Sequence, residues 1–307
     1  MSTLLIVNPA ATTAHSWVRD AIVDSLATIG PLEVRTTEYR GHATELGAEA
    51  RLRGIDRVAT FGGDGTINEV VNGLLRGGPG PDAPTLLAIP GGHTNVLTRL
   101  LGIPQDPLEA VGAVVEGVRA ARTRTINLGL ADDRYFLFAA GLGLDAEVLR
   151  RVEHQRAQGA KASIPRYVAS ALLTHAVNAP LARPRITIDL PGGTAIGGVY
   201  TAIVQNGAVW TYAGSLPVTF APDADFDNGL SVFGIRSLDP LRLGNHLARA
   251  ALWPDLLGAD SAANDLDGFR LTAAEPTLFH VDGDVIGNRS EVSLRSVPGA
   301  LRVGLID

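Results

Sequence analysis

Residues Thr60–Leu74 read TFGGDGTINEVVNGL, and this stretch decides the architecture of the N-terminal half. The largely apolar run Ile55–Phe61 leads into it as a strand would, and apolar residues at helical spacing follow from Thr66 to Leu75. Strand, glycine-rich turn and helix N-terminus therefore succeed one another. Glycines let a backbone approach a ligand closely and aim successive N–H groups at it. The helix N-terminus adds partial positive charge, so the turn suits a phosphate. Asp64 is out of place beside a bare anion, because like charges repel. It makes sense when a divalent cation sits between carboxylate and phosphate.

Outward from this turn, the first 130 residues alternate in the βα manner. Strands are expected at Leu4–Val7, Leu32–Thr36 and Leu86–Ile89, and helices at His15–Ile29, Ala43–Arg53 and Pro107–Val118, with another starting near Thr94. Asn8-Pro9 stops the first strand, and Pro90-Gly91-Gly92 repeats the strand-to-turn logic of the first motif. Beyond Thr125 the pattern changes. Apolar runs at Thr125–Val148 and Arg185–Phe233 are punctuated by Gly, Pro, Asn and Asp, which predicts a mostly antiparallel domain, with helices near Ile164–Ala179 and Leu241–Leu257. Ala300–Ile306 reads as a last strand.

Composition bounds the function. The chain has 307 residues, a net charge of −6 and no cysteine. An acidic balance argues against a nucleic-acid partner, whose phosphates need clustered Lys and Arg. Lack of cysteine removes disulfides, thiolate metal sites and a Cys nucleophile. The opening MSTLLIVNPAA has no basic n-region and too short an apolar run for a signal peptide. No stretch is long enough to span a bilayer. A soluble, cytoplasmic protein is expected, with any membrane association peripheral; a homodimer is open.

Three further segments carry chemistry. Pro90–Pro104 (PGGHTNVLTRLLGIP) places Gly92, Thr94 and Asn95 at a strand end beside the first motif. Phe220–Val232 (FAPDADFDNGLSV) is an acidic turn whose oxygens suit Mg²⁺ or Ca²⁺, although acidic turns are usually only solvated. Phe279–Gly287 (FHVDGDVIG) sets Asp282 and Asp284 about a glycine, which also reads as an ordinary hairpin turn. Gly141–Ala146 fits G-x-G-x-x-A, but no acidic residue follows at the distance a dinucleotide site needs.

GGDGT with its tail INEVVNGL, the Pro90–Pro104 string and the Thr125–Val148 run resemble the diacylglycerol kinase catalytic domain of bacterial lipid kinases and sphingosine kinases. NAD kinases share the GGDGT core. The resemblance implies an α/β N-terminal domain with a doubly wound parallel sheet, of the NAD kinase and phosphofructokinase kind, over residues 1–126 with a returning strand at 299–307. It implies a mostly antiparallel β-sandwich domain over 127–298 that binds lipid, with ATP in the cleft between the two. Activity would be transfer of the γ-phosphoryl of ATP, with Mg²⁺, to a hydroxyl of a diacylglycerol-like or sphingoid lipid at a membrane surface. Nucleotide contacts would come from Asn8, Pro9, Thr12, Thr37, Gly62, Gly63, Asp64, Gly65, Thr66, Asn68, Glu69, Gly92, Thr94 and Asn95. Asp64 would engage Mg²⁺, and a second, structural ion would sit on Asp225, Asn228 and the Leu230 carbonyl. Asp282 and Asp284 would take the proton of the acceptor hydroxyl.

Departures from the family pattern limit these expectations, among them His93, which stands where a glycine or small residue is usual. AATTAH follows Asn8-Pro9 where a glycine and a lysine are frequent. Val96 and Asn127 stand where aspartates are usual, and Asp284 replaces a glutamate. The alternatives are a nucleotide- or lipid-binding homologue with weak or no catalysis, a NAD kinase and, last, a dehydrogenase. For lipid access the sequence offers Trp210, Tyr212, Leu216 and Trp253, and a basic cluster of Arg150, Arg151, Arg156, Lys161 and Arg166.

Overall fold

Short β-branched strands alternating with helices of one apolar face can bury both only by stacking helices on a parallel sheet. The computed structural model describes residues 1–11, 15–157, 185–254 and 262–306, with backbone alone at 151–157 and 240. Two units emerge: Met1–Leu128 with Pro298–Asp307, and Gly129–Val297.

The first unit runs β1 (Thr3–Val7), α1 (Ser16–Ala27), β2 (Leu32–Thr36), α2 (His42–Leu52), β3 (Arg57–Gly62), α3 (Asp64–Leu74), β4 (Thr85–Pro90), α4 (Val96–Leu100), α5 (Pro107–Arg119) and the start of β5 (Thr123–Ala131). Its strands are parallel in the order β2–β1–β3–β4, with Val303 of the terminal strand pairing beyond β4. From β1 the chain steps one way to β2 and then back across to β3. Right-handed crossovers therefore put α1 on one face and α2 and α3 on the other. α1 packs with α5, and α2 with α3. The register sets Val7 beside Phe61 and Gly62 beside Pro90, so the turns after β1, β3 and β4 leave the same edge of the sheet. That edge includes the point where strand order reverses, the place where open α/β sheets bind ligands.

α2 and α3 touch backbone to backbone. A Cβ on Gly73 would stand 2.2 Å from the Thr44 carbonyl oxygen, and one on Gly47 2.6 Å from that of Val70. Gly73, the penultimate residue of the NEVVNGL tail, is thus a packing requirement. Gly73→Ala is expected to destabilise the first unit by about 1–3 kcal/mol, read as a lower denaturation midpoint at unchanged m-value; an unshifted midpoint would contradict the contact.

In the second unit β6 (Arg134–Phe136) closes a hairpin with the end of β5, and β7 (Ala139–Gly143) leads into α6 (Leu144–Ala157). β8 (Ile186–Asp189), β9 (Ala195–Val199), β10 (Thr201–Gln205), β11 (Thr211–Ala213), β12 (Leu216–Val218) and β13 (Leu230–Ile235) follow. α7 (Pro240–Leu252) then precedes β14 (Ala262–Leu266), β15 (Gly268–Val281) and β16 (Asp284–Gly304). The pairing within the unit is antiparallel, as expected. The two ends of β15 serve different neighbours. Arg270–Ala273 pair with β8, which carries β9, while Phe279–Val281 pair with β7, which leads through β10 and β13 to β14. Side chains from both limbs, among them Ile188, Leu271, Leu142, Val204, Val232 and Phe279, meet in one core. Two β layers sharing one core is sandwich packing.

The expected helix at Ile164–Ala179 lies outside the described residues, as do Thr12, Lys161, Arg166 and the side chains of Arg151 and Arg156. Trp210 belongs to the core, 6% exposed and edge-on to Phe220. No described helix is long and apolar enough to cross a membrane.

Candidate active site

At the first unit's sheet edge the two glycine-rich turns lie against each other. The Gly91 N–H donates to the Gly62 carbonyl at 2.8 Å. A Cβ on Gly92 would meet Gly63 Cα at 2.6 Å, and one on Gly91 the Gly62 nitrogen at 2.9 Å. Gly63, Gly91 and Gly92 are therefore explained by turn-on-turn packing, and Gly62 by Thr66, which a Cβ there would strike at 2.8 Å. Asp64 fastens the arrangement. Its carboxylate accepts the N–H groups of Val96 and Leu97 at 3.0 and 3.1 Å, and so caps α4 from another element. Asn95, at φ 50° and buried, holds the Gly92 peptide by both its amide atoms. Asn tolerates this left-handed conformation better than most residues. From β1, the Asn8 amide donates to the Thr66 hydroxyl at 2.9 Å while its oxygen accepts from Ala10.

Gly65 is different. It is exposed, lies in the first turn of α3 without a positive φ, and a Cβ there would meet nothing within 4 Å. No side chain caps α3, whose N-cap is Gly63. A glycine in a helix costs about 1 kcal/mol relative to alanine, and neither packing nor dihedral requirements account for this one. Close approach of a ligand to the helix N-terminus would. Pro9 is exposed beside this end, and Thr37 and Thr94 are half-buried. Asn68 and Glu69 sit one turn further along α3. Asn68 is buried and accepts from Asn72, and Glu69 accepts the Gly41 N–H at 3.0 Å. Glu69 thereby ties α3 to the start of α2, and Asn68 bonds within α3.

In the second unit Asp282 and Gly283, at φ 47° and 82°, form the two-residue turn between β15 and β16. Positive φ at both central positions is what a tight hairpin of this kind needs. The Asp282 carboxylate is buried and accepts three backbone N–H groups, from Leu137 at 2.7 Å, Phe138 at 3.0 Å and Ala139 at 3.2 Å. Asp284 is half-buried and pairs with Arg134 across 3.0 Å. The two aspartates thus have different environments: one anchors the turn, the other is partly open to solvent.

The Asp225 turn is held internally, with Asp225 accepting from the Asp227 N–H at 2.9 Å. Asp225 and Asn228 are exposed, and Leu230 is buried in β13 opposite Leu266. Among the described residues no group of three or more His, Asp or Glu is placed to hold a metal. The two departures from the acidic pattern have local accounts. Val96 is buried, and its contribution to the site is its backbone N–H. The Asn127 amide oxygen accepts from Gly299 at 2.8 Å, tying down the returning strand.

Several buried polar residues escaped the sequence reading. Asn206 donates to the Leu137 carbonyl and takes up Phe138 through its own N–H, so the segment anchored by Asp282 is gripped from both sides. Gln205 accepts from Phe220 and Ala221 and donates to Gly207. A Gln-Asn pair ending an apolar strand was the available signal. His280 Nε2 lies 2.9 Å from Asp145 Oδ2, with both side chains almost wholly buried and the Thr201 hydroxyl on the other carboxylate oxygen. Gly141 makes room, since a Cβ there would fall 1.8 Å from Asp145.

Comparison with known proteins agrees with this geometry. Residues 2–130 match the family "Diacylglycerol kinase catalytic domain". The Bacillus subtilis diacylglycerol kinase is 46% identical over 108 residues, which are 35% of this chain and 33% of that protein. A Streptococcus pneumoniae relative, whose name includes the words lipid kinase, is 28% identical over 84% of this chain and 81% of its own. In fold, a Bacillus anthracis diacylglycerol kinase superposes with a TM-score of 0.75 at 23% identity, covering 99% of this chain and 96% of that one. Residues 2–130, which carry the paired glycine turns, the capping aspartate and the βα order, are thus similar to the diacylglycerol kinase catalytic domain, and the chain spans about a third of the length of the Bacillus subtilis relative it matches.

Proposed function

We propose that this chain is an ATP-dependent lipid kinase, in which the first unit holds the nucleotide phosphates and Asp284 of the second acts as base toward a lipid hydroxyl. The observation that carries the reading is Gly65, an exposed helical glycine at an uncapped N-terminus that only a closely approaching ligand explains. Backbone N–H groups there suit phosphate oxygens. A carboxylate offers about four acceptor sites, so the two N–H groups on Asp64 do not debar it from a cation. Asp64 is the residue that would hold Mg²⁺, and Mg²⁺ when bound neutralises charge developing on the phosphoryl oxygens. The acceptor oxygen forms its bond to the γ-phosphorus as the bond to the β-phosphate oxygen breaks, ADP departs, and the hydroxyl proton passes to Asp284. Asp282 is a positioning residue, since its carboxylate is given over to three N–H groups.

Diacylglycerol and sphingoid bases are the acceptor classes to test. Incubating the protein with a total lipid extract, Mg²⁺ and γ-labelled ATP, then resolving products by mass, identifies the acceptor. Absence of any labelled lipid, with ATP binding intact, would favour the non-catalytic reading, which the neutral Val96 and Asn127 support. Asp64→Asn is the informative variant, because Asp64→Ala would also strip the cap from α4. With one oxygen still accepting, the fold is expected to persist while turnover falls about 10²–10³-fold; full turnover would remove Asp64 from the mechanism.

A further inference from the structure

Three large apolar side chains are exposed among the described residues of the second unit, and all three belong to α7 and its C-cap: Leu241 at 85%, Leu252 at 54% and Trp253 at 58%. At about 100° per residue, Leu241 and Leu252 fall within about 20° of each other on the helix, with exposed Ala248 beside them. The opposite face is already used. Leu243 and Ala250 are buried, His246 meets the Phe233 ring edge-on, and the Ala250 carbonyl accepts from Thr219. A helix with one face seated on its own domain therefore turns a second apolar stripe, ending in a tryptophan, to solvent.

Charge says what that stripe meets. From Arg236 to Pro254 the sequence has three arginines and one acidic residue, in a chain of net charge −6. The acidic residue, Asp239, is the N-cap of α7 and accepts from Leu241 and Arg242. Arg242 and Arg249 flank the stripe on one side, about 80–100° round from Leu241. Between them lies His246, which burial first, and then Arg249 and Arg242, holds below the usual imidazole range and so neutral. Asp255 follows outside the described residues. Apolar side chains and tryptophan at a headgroup boundary with arginines alongside match an anionic bilayer surface.

We infer that the exposed stripe of α7, Leu241, Ala248, Leu252 and Trp253 with Arg242 and Arg249, docks the protein on an anionic phospholipid surface. The inference rests on the lipid-kinase reading for its purpose, but its test does not use turnover. Full-length protein without nucleotide is sedimented with vesicles of phosphatidylcholine alone or with about a third phosphatidylglycerol. Binding is expected to the anionic vesicles, weakening with salt and on the order of five-fold for each of R242Q and R249Q. The L241S/L252S/W253S variant is expected to stay in the supernatant. Brominated lipids are expected to quench wild-type emission but not that of W253F, which retains Trp17 and Trp210. Failure of the wild type to sediment, equal sedimentation of the triple variant, or absence of Trp253 quenching overturns the inference. So does a vesicle-free change of oligomeric state in the triple variant, which would give the face to a second copy. Turnover on a water-soluble short-chain diacylglycerol, measured alongside, is expected to be equal in wild type and variants. No turnover in any of them would count against the kinase reading and leave the docking result standing.

Discussion

Asp284→Asn is expected to lower kcat by about 10²–10⁴-fold, the usual worth of a positioned general base, with no loss of thermal stability. The amide oxygen can still accept from Arg134, so the half-buried pair at 3.0 Å is replaced rather than broken. Asp282→Ala, two residues earlier, is expected to behave in the opposite way. It strips the acceptor from three buried N–H groups and leaves alanine at φ 47°. An unsatisfied buried N–H costs about 1–3 kcal/mol, and the left-handed conformation a further 1–2 kcal/mol or so. A net loss of about 3 kcal/mol or more would lower the melting temperature by about 6–12 °C in a unit of this size. Lipid phosphorylation and differential scanning calorimetry on both variants separate the two roles. Full activity in Asp284→Asn sinks its assignment as base, and an unshifted melt in Asp282→Ala sinks the anchoring role.

This division of labour was not legible in the sequence, whereas much of the fold was. Strands such as Leu4–Val7 and Leu86–Ile89 and the helices between them follow from local apolar patterning, which the chain displays residue by residue. The glycine doublets marked their turns because glycine advertises unusual backbone approach. Duties that depend on partners far along the chain leave no such trace. The capping duty of Asp64 left no trace because its N–H donors, Val96 and Leu97, lie more than thirty positions away. Asp282 and Asp284 look equivalent in DGD, and only the arrival of the Leu137–Ala139 segment separates them. β15 and β16 run to 14 and 21 residues, yet Pro276, Pro298 and register shifts after Thr272 and Phe279 break the alternation that would announce long strands.

Across the two glycine turns, glycines with packing duties stand apart from Gly65, which has none, and paired alanine variants expose the difference. Gly65→Ala is expected to raise stability by about 0.5–1 kcal/mol, because alanine is the better helix former and its methyl meets nothing within 4 Å. The same methyl would stand over N–H groups meant for phosphate. Loss of one hydrogen bond to a charged group, about 1.5–3 kcal/mol, lowers affinity for ATP·Mg²⁺ by roughly 10–150-fold. Gly92→Ala, by contrast, drives a methyl to 2.6 Å from Gly63 Cα and is expected to destabilise the unit by about 1–3 kcal/mol. Calorimetric titration with ATP·Mg²⁺ and a thermal melt on each variant decide the matter. A Gly65→Ala protein that is firmer and binds ATP poorly supports the phosphate cradle. One that binds ATP as wild type does would mean that α3 has no ligand at its N-terminus, and the kinase reading would lose the observation that carries it.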